Sequence, residues 1–280
     1  AITKYLVANN YNVTVYDNNS RGKISRIKDV KNKIHFIKGD IRDKKKLLSI
    51  KGNFDTVVHL AYVNGTKFFY KKPFEILDIA VNGLVNILDF SKVKKVKKFF
   101  LASSSEVYGR SPNLPYKEDD VLSLGPTSVP RWGYACSKML DEFLALAHRK
   151  ESNLPVIVLR LFNTVGPRQS GSYGMVIPRM VEQCLNNQPV TVYGDGSQTR
   201  CFGYVGDVAQ AMIDISNAAE AEGEVFNLGN DVEISILTLA ELVKETLNSA
   251  SPIEFVPFES VFGSDFQDIP RRIPDLNKIK

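Results

Sequence analysis

Short apolar runs rich in β-branched and aromatic residues recur along the first 163 residues, at "NVTVYD" (12 to 17), "IHFIKGD" (34 to 40), "DTVVHLA" (55 to 61), "KKFFLASS" (97 to 104) and "PVIVLRLFN" (155 to 163). Between them lie longer amphipathic stretches such as "FEILDIAVNGLVNILDFSK" (74 to 92) and "SKMLDEFLALAHRK" (137 to 150). Runs of period two alternating with runs of period 3.6 specify βαβ units, so the chain is expected to be α/β, a doubly wound parallel sheet with helices on both faces. Ligands in such sheets sit beyond the carboxyl ends of the strands. The polar residues just after each run are therefore the first candidates for a site: Asp17, Asp40, Ala61, Ser103 to Ser105 and Asn163.

After residue 164 the texture shifts to loops punctuated by Gly and Pro, including "GPRQSGSYG" and "VYGDGSQTRCFGYVGD". This predicts a dinucleotide-binding domain over 1–163 and a smaller C-terminal substrate-binding lobe over 164–280. A hydrophobic content of 44% and a charged content of 24% in 280 residues exclude a disordered chain. No apolar run reaches the roughly 18 to 20 residues of a membrane span and no signal peptide opens the chain, so a cytoplasmic protein with no membrane partner is expected. Cys136, Cys184 and Cys201 lack metal-ligand spacing and are expected to be free thiols, with no metal bound. The densest basic cluster, "KVKKVKKFF", runs straight into a strand; it reads as a solvated turn, and no nucleic-acid partner is expected.

Two stretches carry chemistry. In "YACSK", Tyr134 and Lys138 are four residues apart near a helix start and so share one face. An ammonium beside a phenol favours the phenolate, which predicts Tyr134 as a general base with Lys138 lowering its pKa. In "FFLASSSEVYG" a strand runs out into three serines and a glutamate, hydroxyls that suit either a helix cap or a substrate oxygen. His59 and Trp132 read as packing residues, and Asp207 as the cap of the helix after it.

Jointly, "VTVYDNNSRG", "GDIRD", "HLA", "SSSEVYG", "YACSK", "LRLFNTVGPR", "VYGDGSQTRCFGYVGDVA" and "RRIPD" resemble the extended short-chain dehydrogenase/reductases of the NAD-dependent nucleotide-sugar epimerase/dehydratase family. The resemblance implies a Rossmann-like fold, an NAD cofactor, a UDP-sugar substrate and a homodimer built on the helices at 74 to 92 and 137 to 150. It implies that Tyr134 is the catalytic base, that Lys138 also grips the nicotinamide ribose, that Ser104 bonds the reacting hydroxyl, and that Glu106 takes part in catalysis. Cofactor contacts are expected from Asp17, Asn18, Asn19, Ser20, Asp40, Ile41, Leu60, Ala61, Asn82 and Phe162. Substrate contacts are expected from Asn163, Arg200 and Arg272 at the diphosphate, and from Val192 and Tyr193 at the base. Asp17 at a strand end would accept from the adenosine ribose hydroxyls, favouring NAD over NADP because a 2′-phosphate would meet its charge.

The family's reactions share oxidation of the sugar 4-hydroxyl and then diverge. Ser105 and Glu106 stand where a 4,6-dehydratase carries an Asp-Glu pair, so dehydration is not expected. A UDP-glucose 4-epimerase-like activity is the first expectation. A UDP-glucuronate decarboxylase, in which a glutamate and an arginine attend the carboxylate, is the alternative; a non-catalytic sugar-nucleotide or NAD-binding protein is the third. The resemblance also leads one to expect, before Ala1, about 20 further residues holding a first strand and a Gly-x-x-Gly-x-x-Gly turn. Without them the sheet would show a gap between neighbouring strands.

Overall fold

A computed structural model describes residues 1–63, 65–171, 174–262 and 269–280. The first half runs α1 (Ile2–Ala8), β1 (Val13–Asp17), β2 (Ile34–Lys38), α2 (Lys44–Leu48), β3 (Thr56–His59), α3 (Thr66–Lys71), α4 (Pro73–Val93), β4 (Lys98–Ser104), α5 (Pro130–Ser152) and β5 (Val156–Leu161). The second runs β6 (Thr164–Val165), α6 (Val176–Leu185), β7 (Val190–Tyr193), β8 (Thr199–Cys201), β9 (Gly203–Tyr204), α7 (Val205–Ile215), β10 (Val225–Leu228), β11 (Glu233–Ser235), α8 (Ile236–Thr246), β12 (Ile253–Val256) and α9 (Phe258–Phe262). All five apolar runs of the first half became strands, within two residues of the quoted limits at each end.

The main sheet is parallel with strand order β10-β5-β4-β3. Its central strands are covered on both sides, because successive residues of a strand point to opposite faces. Phe99, Leu101, Val156 and Val158 pack with Leu84, Leu88 and Phe90 of α4. Phe100, Ile157 and Leu159 pack with Val208 and Met212 of α7. These strands read as continuous apolar runs for this reason.

β1 and β2 form a separate parallel pair, and among the described residues no ladder joins β1 to β3. Val13–Asp17 is half-buried along its whole length. Elements after residue 164 lie on both sides of the expected 163/164 boundary. α6, β7, α8 and β12 form the second lobe around Met180, Val190, Val192 and Leu239, but β10 returns to pair with β5 and α7 covers the main sheet. The C-terminal end returns too: Asp275 N donates to Tyr116 O at 2.8 Å. Strand Val225–Leu228 buries Phe226 and Leu228 against the main sheet's neighbours, and its one polar residue, Asn227, is buried with its side chain bonded to Tyr108 and to Tyr116 O.

No helix among the described residues is long and apolar enough to cross a membrane. The three cysteines are free, Cys184 and Cys201 buried and Cys136 exposed. Among the described residues no cluster of His, Cys, Asp or Glu could hold a metal ion.

Candidate active site

Pro130 opens α5, where its fixed φ suits the first helical position and its missing N–H leaves no donor unpaired. Tyr134 and Lys138 thereby fall one helical turn apart, both buried. The Tyr134 ring stacks on Phe69 at 4.4 Å between centroids and meets Tyr62 edge-on at 5.4 Å. Ser104 ends β4; its Oγ accepts from Glu106 N at 3.2 Å, capping the 3₁₀ turn Ser105–Tyr108, and its hydroxyl bonds the Tyr134 phenol. Gly109 closes that turn at φ +56°, where a Cβ would lie 2.0 Å from the Ser123 carbonyl oxygen, so only glycine fits.

The Lys138 ammonium is directed differently from expectation. Its Nζ donates to Ala102 O at 3.0 Å and to Asp141 Oδ2 at 3.2 Å, and it lies 3.8 Å from the centre of the Tyr62 ring. Burial pushes the Tyr134 phenol above its ordinary value; the Ser104 bond and the Arg272 charge pull it down, while Glu106 and Asp141 push it up. In this arrangement burial outweighs the groups that lower the phenol, and the Lys138 ammonium is held by Ala102 O and Asp141.

Glu106 sits between two arginines. Arg272 Nη1 lies 2.7 Å from Oε1, and Arg131 Nη2 lies 3.2 Å from Oε2. Burial alone would raise its pKa, but Arg272 and Arg131, with Arg200 behind them, hold it down at about 2. Among the described residues, Glu106 is thus the carboxylate shared by two buried guanidiniums. Trp132 supports it from below, buried at 2% exposure with Val129, Ala135 and Ile269, and the Arg131 guanidinium lies 5.6 Å from its ring.

One continuous cleft of about 730 Å³ runs from the end of β1 to Arg272. It brings together Asp17, Asn18, Ser20, Asp40, Ile41, Leu60 and Ala61 at one end and Ser104, Glu106, Tyr134 and Lys138 at its centre. Phe162, Asn163, Tyr193, Arg200 and Arg272 line the far end. Three expected residues lie outside it. Asn19, at φ +60°, uses its backbone N–H to bond Asp17 Oδ1 at 2.6 Å while its side chain faces solvent. Asn82 donates to Asp78 Oδ1 at 2.6 Å on the outer face of α4, next to the Asp78–Arg42 ion pair. Val192 points into the core of the second lobe, fully buried, because alternation along β7 leaves the cleft to Tyr193 alone. Asp207 does not cap α7: that helix starts at Val205, placing Asp207 in its first turn. His59 is a core residue, kept neutral by burial and by the Lys138 charge.

The donors and acceptors fit a dinucleotide. Asp17 presents a carboxylate at the strand end, its Oδ2 3.5 Å from where a Cβ on Gly22 would stand. Asp40 beside it is already committed, accepting from Arg42 Nε and Nη2 at 3.0 and 2.9 Å and from Asn18 Nδ2 at 3.0 Å, and those bonds hold it far below the usual carboxylate range. Asp40 thus shapes the wall, and Asp17 remains to receive hydroxyls. Asp17→Ala is expected to weaken NAD binding roughly 10- to 100-fold, the worth of a charge-assisted hydrogen bond, with sugar-nucleotide affinity unchanged; calorimetry with each ligand checks this.

Sequence reasoning missed Tyr62, Phe69, Arg131 and Asp141. Arg131 stood inside "PRWGY", and Asp141 three residues after Lys138 on the same helix face, so spacing could have found both. Tyr62 and Phe69 carried no signal, since their approach to Tyr134 depends on how β3 and α3 pack against α5.

The sequence model of the NAD dependent epimerase/dehydratase family matches residues 1–229. The UDP-N-acetyl-alpha-D-glucosaminuronate decarboxylase of Bacillus cytotoxicus is 38% identical over 280 residues, covering 100% of this chain and 86% of that protein. UDP-glucuronic acid decarboxylase 1 of Danio rerio is 32% identical over 280 residues, of which the chain spans 64% of the full length. The solved UDP-glucose 4-epimerase of Thermotoga maritima, with UDP-glucose, superposes with a TM-score of 0.87 at 26% identity, over 99% of this chain and 86% of that one. The chain belongs to the NAD dependent epimerase/dehydratase family; it is an enzyme with a Rossmann-like fold, and its cofactor is NAD.

Proposed function

We propose that the protein is an NAD-dependent decarboxylase of a UDP-hexuronate, a UDP-sugar carrying a carboxylate at C6. The observation that supports this reading over the epimerase expected from sequence is the Arg131–Glu106–Arg272 corner, whose two guanidiniums line the cleft and suit an anionic sugar. The 38% identity over the whole chain to a UDP-N-acetylglucosaminuronate decarboxylase points the same way.

NAD, when bound, supplies the hydride acceptor for C4 and returns the hydride at the end. The chain's residues do the rest. Tyr134, as phenolate, takes the proton from the sugar O4, and Ser104 holds that oxygen in place. The resulting ketone at C4 is β to the C6 carboxylate, so the C5–C6 bond can break with its electron pair passing into the C4 carbonyl as an enolate while CO2 leaves. Arg131 and Arg272 orient the carboxylate across the cleft, and a proton delivered to C5 completes a 4-keto pentose.

A second reading, 4-epimerisation, is supported by the superposition on a UDP-glucose 4-epimerase. Incubation with NAD and either UDP-N-acetylglucosaminuronate, UDP-glucuronate or UDP-glucose, followed by proton NMR of the product, separates the two. A pentose from a uronate supports decarboxylation; conversion of UDP-glucose to its 4-epimer with both uronates untouched overturns it.

A homodimer belongs to the same proposal. α4 and α5 pack together and turn outward Phe74, Leu77, Val85, Leu140 and Phe143, the last 67% exposed. Covering this face with a second copy would join four helices. Phe143→Glu is expected to shift the sedimenting species from dimer to monomer; a monomeric wild-type protein would remove the dimer from the account.

A further inference from the structure

Asp141 is fully buried, at 0% exposure, and its carboxylate is only half satisfied. Oδ2 lies 3.2 Å from Lys138 Nζ, whereas Oδ1 is buried without any hydrogen-bond partner. A half-paired carboxylate in the interior costs stability, and an ion pair at this depth is no better than apolar packing as a source of it. Its place in the fold instead suggests service to Lys138. The lysine comes from the same helix one turn earlier, is 3% exposed, and is surrounded by groups that cannot hold its charge in place by themselves: the Ala102 carbonyl, the Tyr62 ring and the neutral His59. The other titratable groups facing the pair are Glu142, on the same helix, and the phenols of Tyr62 and Tyr134. Glu142 is itself bound to Arg160 through both oxygens and to Ser103. Only Asp141 gives the ammonium a direct carboxylate partner among the described residues.

We propose that Asp141 is a positioning residue that keeps Lys138 protonated and anchors its ammonium against β4, at the centre of the cleft where the cofactor is held. Burial lowers the Lys138 pKa and Asp141 raises it, while burial raises the Asp141 pKa and Lys138 lowers it, so each charge depends on the other. The inference concerns the family's Tyr–Lys machinery and does not depend on whether the sugar is decarboxylated or epimerised.

Lysine labelled with ¹³C at Cε provides the test, with the Lys138 resonance assigned by its loss in Lys138→Met. In Asp141→Asn its titration midpoint should fall by about one pH unit or more, the effect of removing an opposite charge at this range. An unchanged midpoint overturns the proposal. NAD affinity gives a second readout: it should drop more at pH 9 than at pH 6.5 in Asp141→Asn and recover in Asp141→Glu. A uniform loss at both pH values would mean a purely structural role and would also overturn it. Should the variant not fold, the wild-type resonance decides, since it should carry a second inflection on the acid side of neutrality as Asp141 protonates; a single inflection contradicts the coupling.

Discussion

Replacing Tyr134 with phenylalanine is expected to cut turnover roughly 10²- to 10⁴-fold, the usual worth of a positioned general acid–base group, while UDP-sugar and NAD affinities stay within a few fold. The ring keeps its stack on Phe69 and its edge contact with Tyr62, so packing is retained and only the hydroxyl is lost. Because burial pushes the phenol up in this arrangement, the enzyme needs something to bring it back toward working pH. Ser104 already contributes, and Ser104→Ala should slow turnover and move its alkaline dependence to higher pH. Steady-state kinetics across pH checks both; a Tyr134→Phe enzyme of normal rate removes Tyr134 as the base.

Glu106→Ala should be the most destabilising single change at the site. It leaves Arg131 and Arg272, at 5% and 7% exposure, facing each other without their shared carboxylate. Breaking a buried pair by removing one partner costs about 3–5 kcal/mol. Its pH signature follows from the sign of the shift. The folded pKa, about 2, is lower than the roughly 4.3 of an unfolded glutamate. The stabilisation is therefore present above the unfolded value and is lost as pH falls from there toward the folded one. Denaturant unfolding at pH 7 and at pH 3 should show the variant much less stable at the first and closer to wild type at the second. Equal midpoints at pH 7 would mean the arginines do not need Glu106.

Most of the fold could be read from period and order. In "KFFLASS" the three consecutive apolar residues Phe99, Phe100 and Leu101 alternate between two buried faces, and that two-sided burial makes the run visible as a strand. The return of β10 to the main sheet was not legible, because "VFNL" is too short to declare its neighbour and only the packing of Phe226 and Leu228 beside Ile157 and Leu159 decides it. At the site, residues fixed by spacing were found: Tyr134 and Lys138 share a face wherever α5 begins. What each side chain touches depended on tertiary neighbours. Lys138 was expected at the phenol, yet Asp141 and Tyr62 hold its ammonium. Val192 and Tyr193 were assigned together to one wall, though strand alternation permits only one of them to face the cleft. Asn82 was drawn away by Asp78 on its own helix.

The corner formed by Arg131, Glu106 and Arg272 carries the central claim, and its most direct test follows one carbon atom. UDP-hexuronate labelled with ¹³C at C6, incubated with the enzyme and NAD, should release ¹³CO2 in step with appearance of an unlabelled pentose nucleotide, and Tyr134→Phe should release none. Retention of the label in the sugar, with only the configuration at C4 changed, would contradict the decarboxylase assignment and return the enzyme to the epimerases.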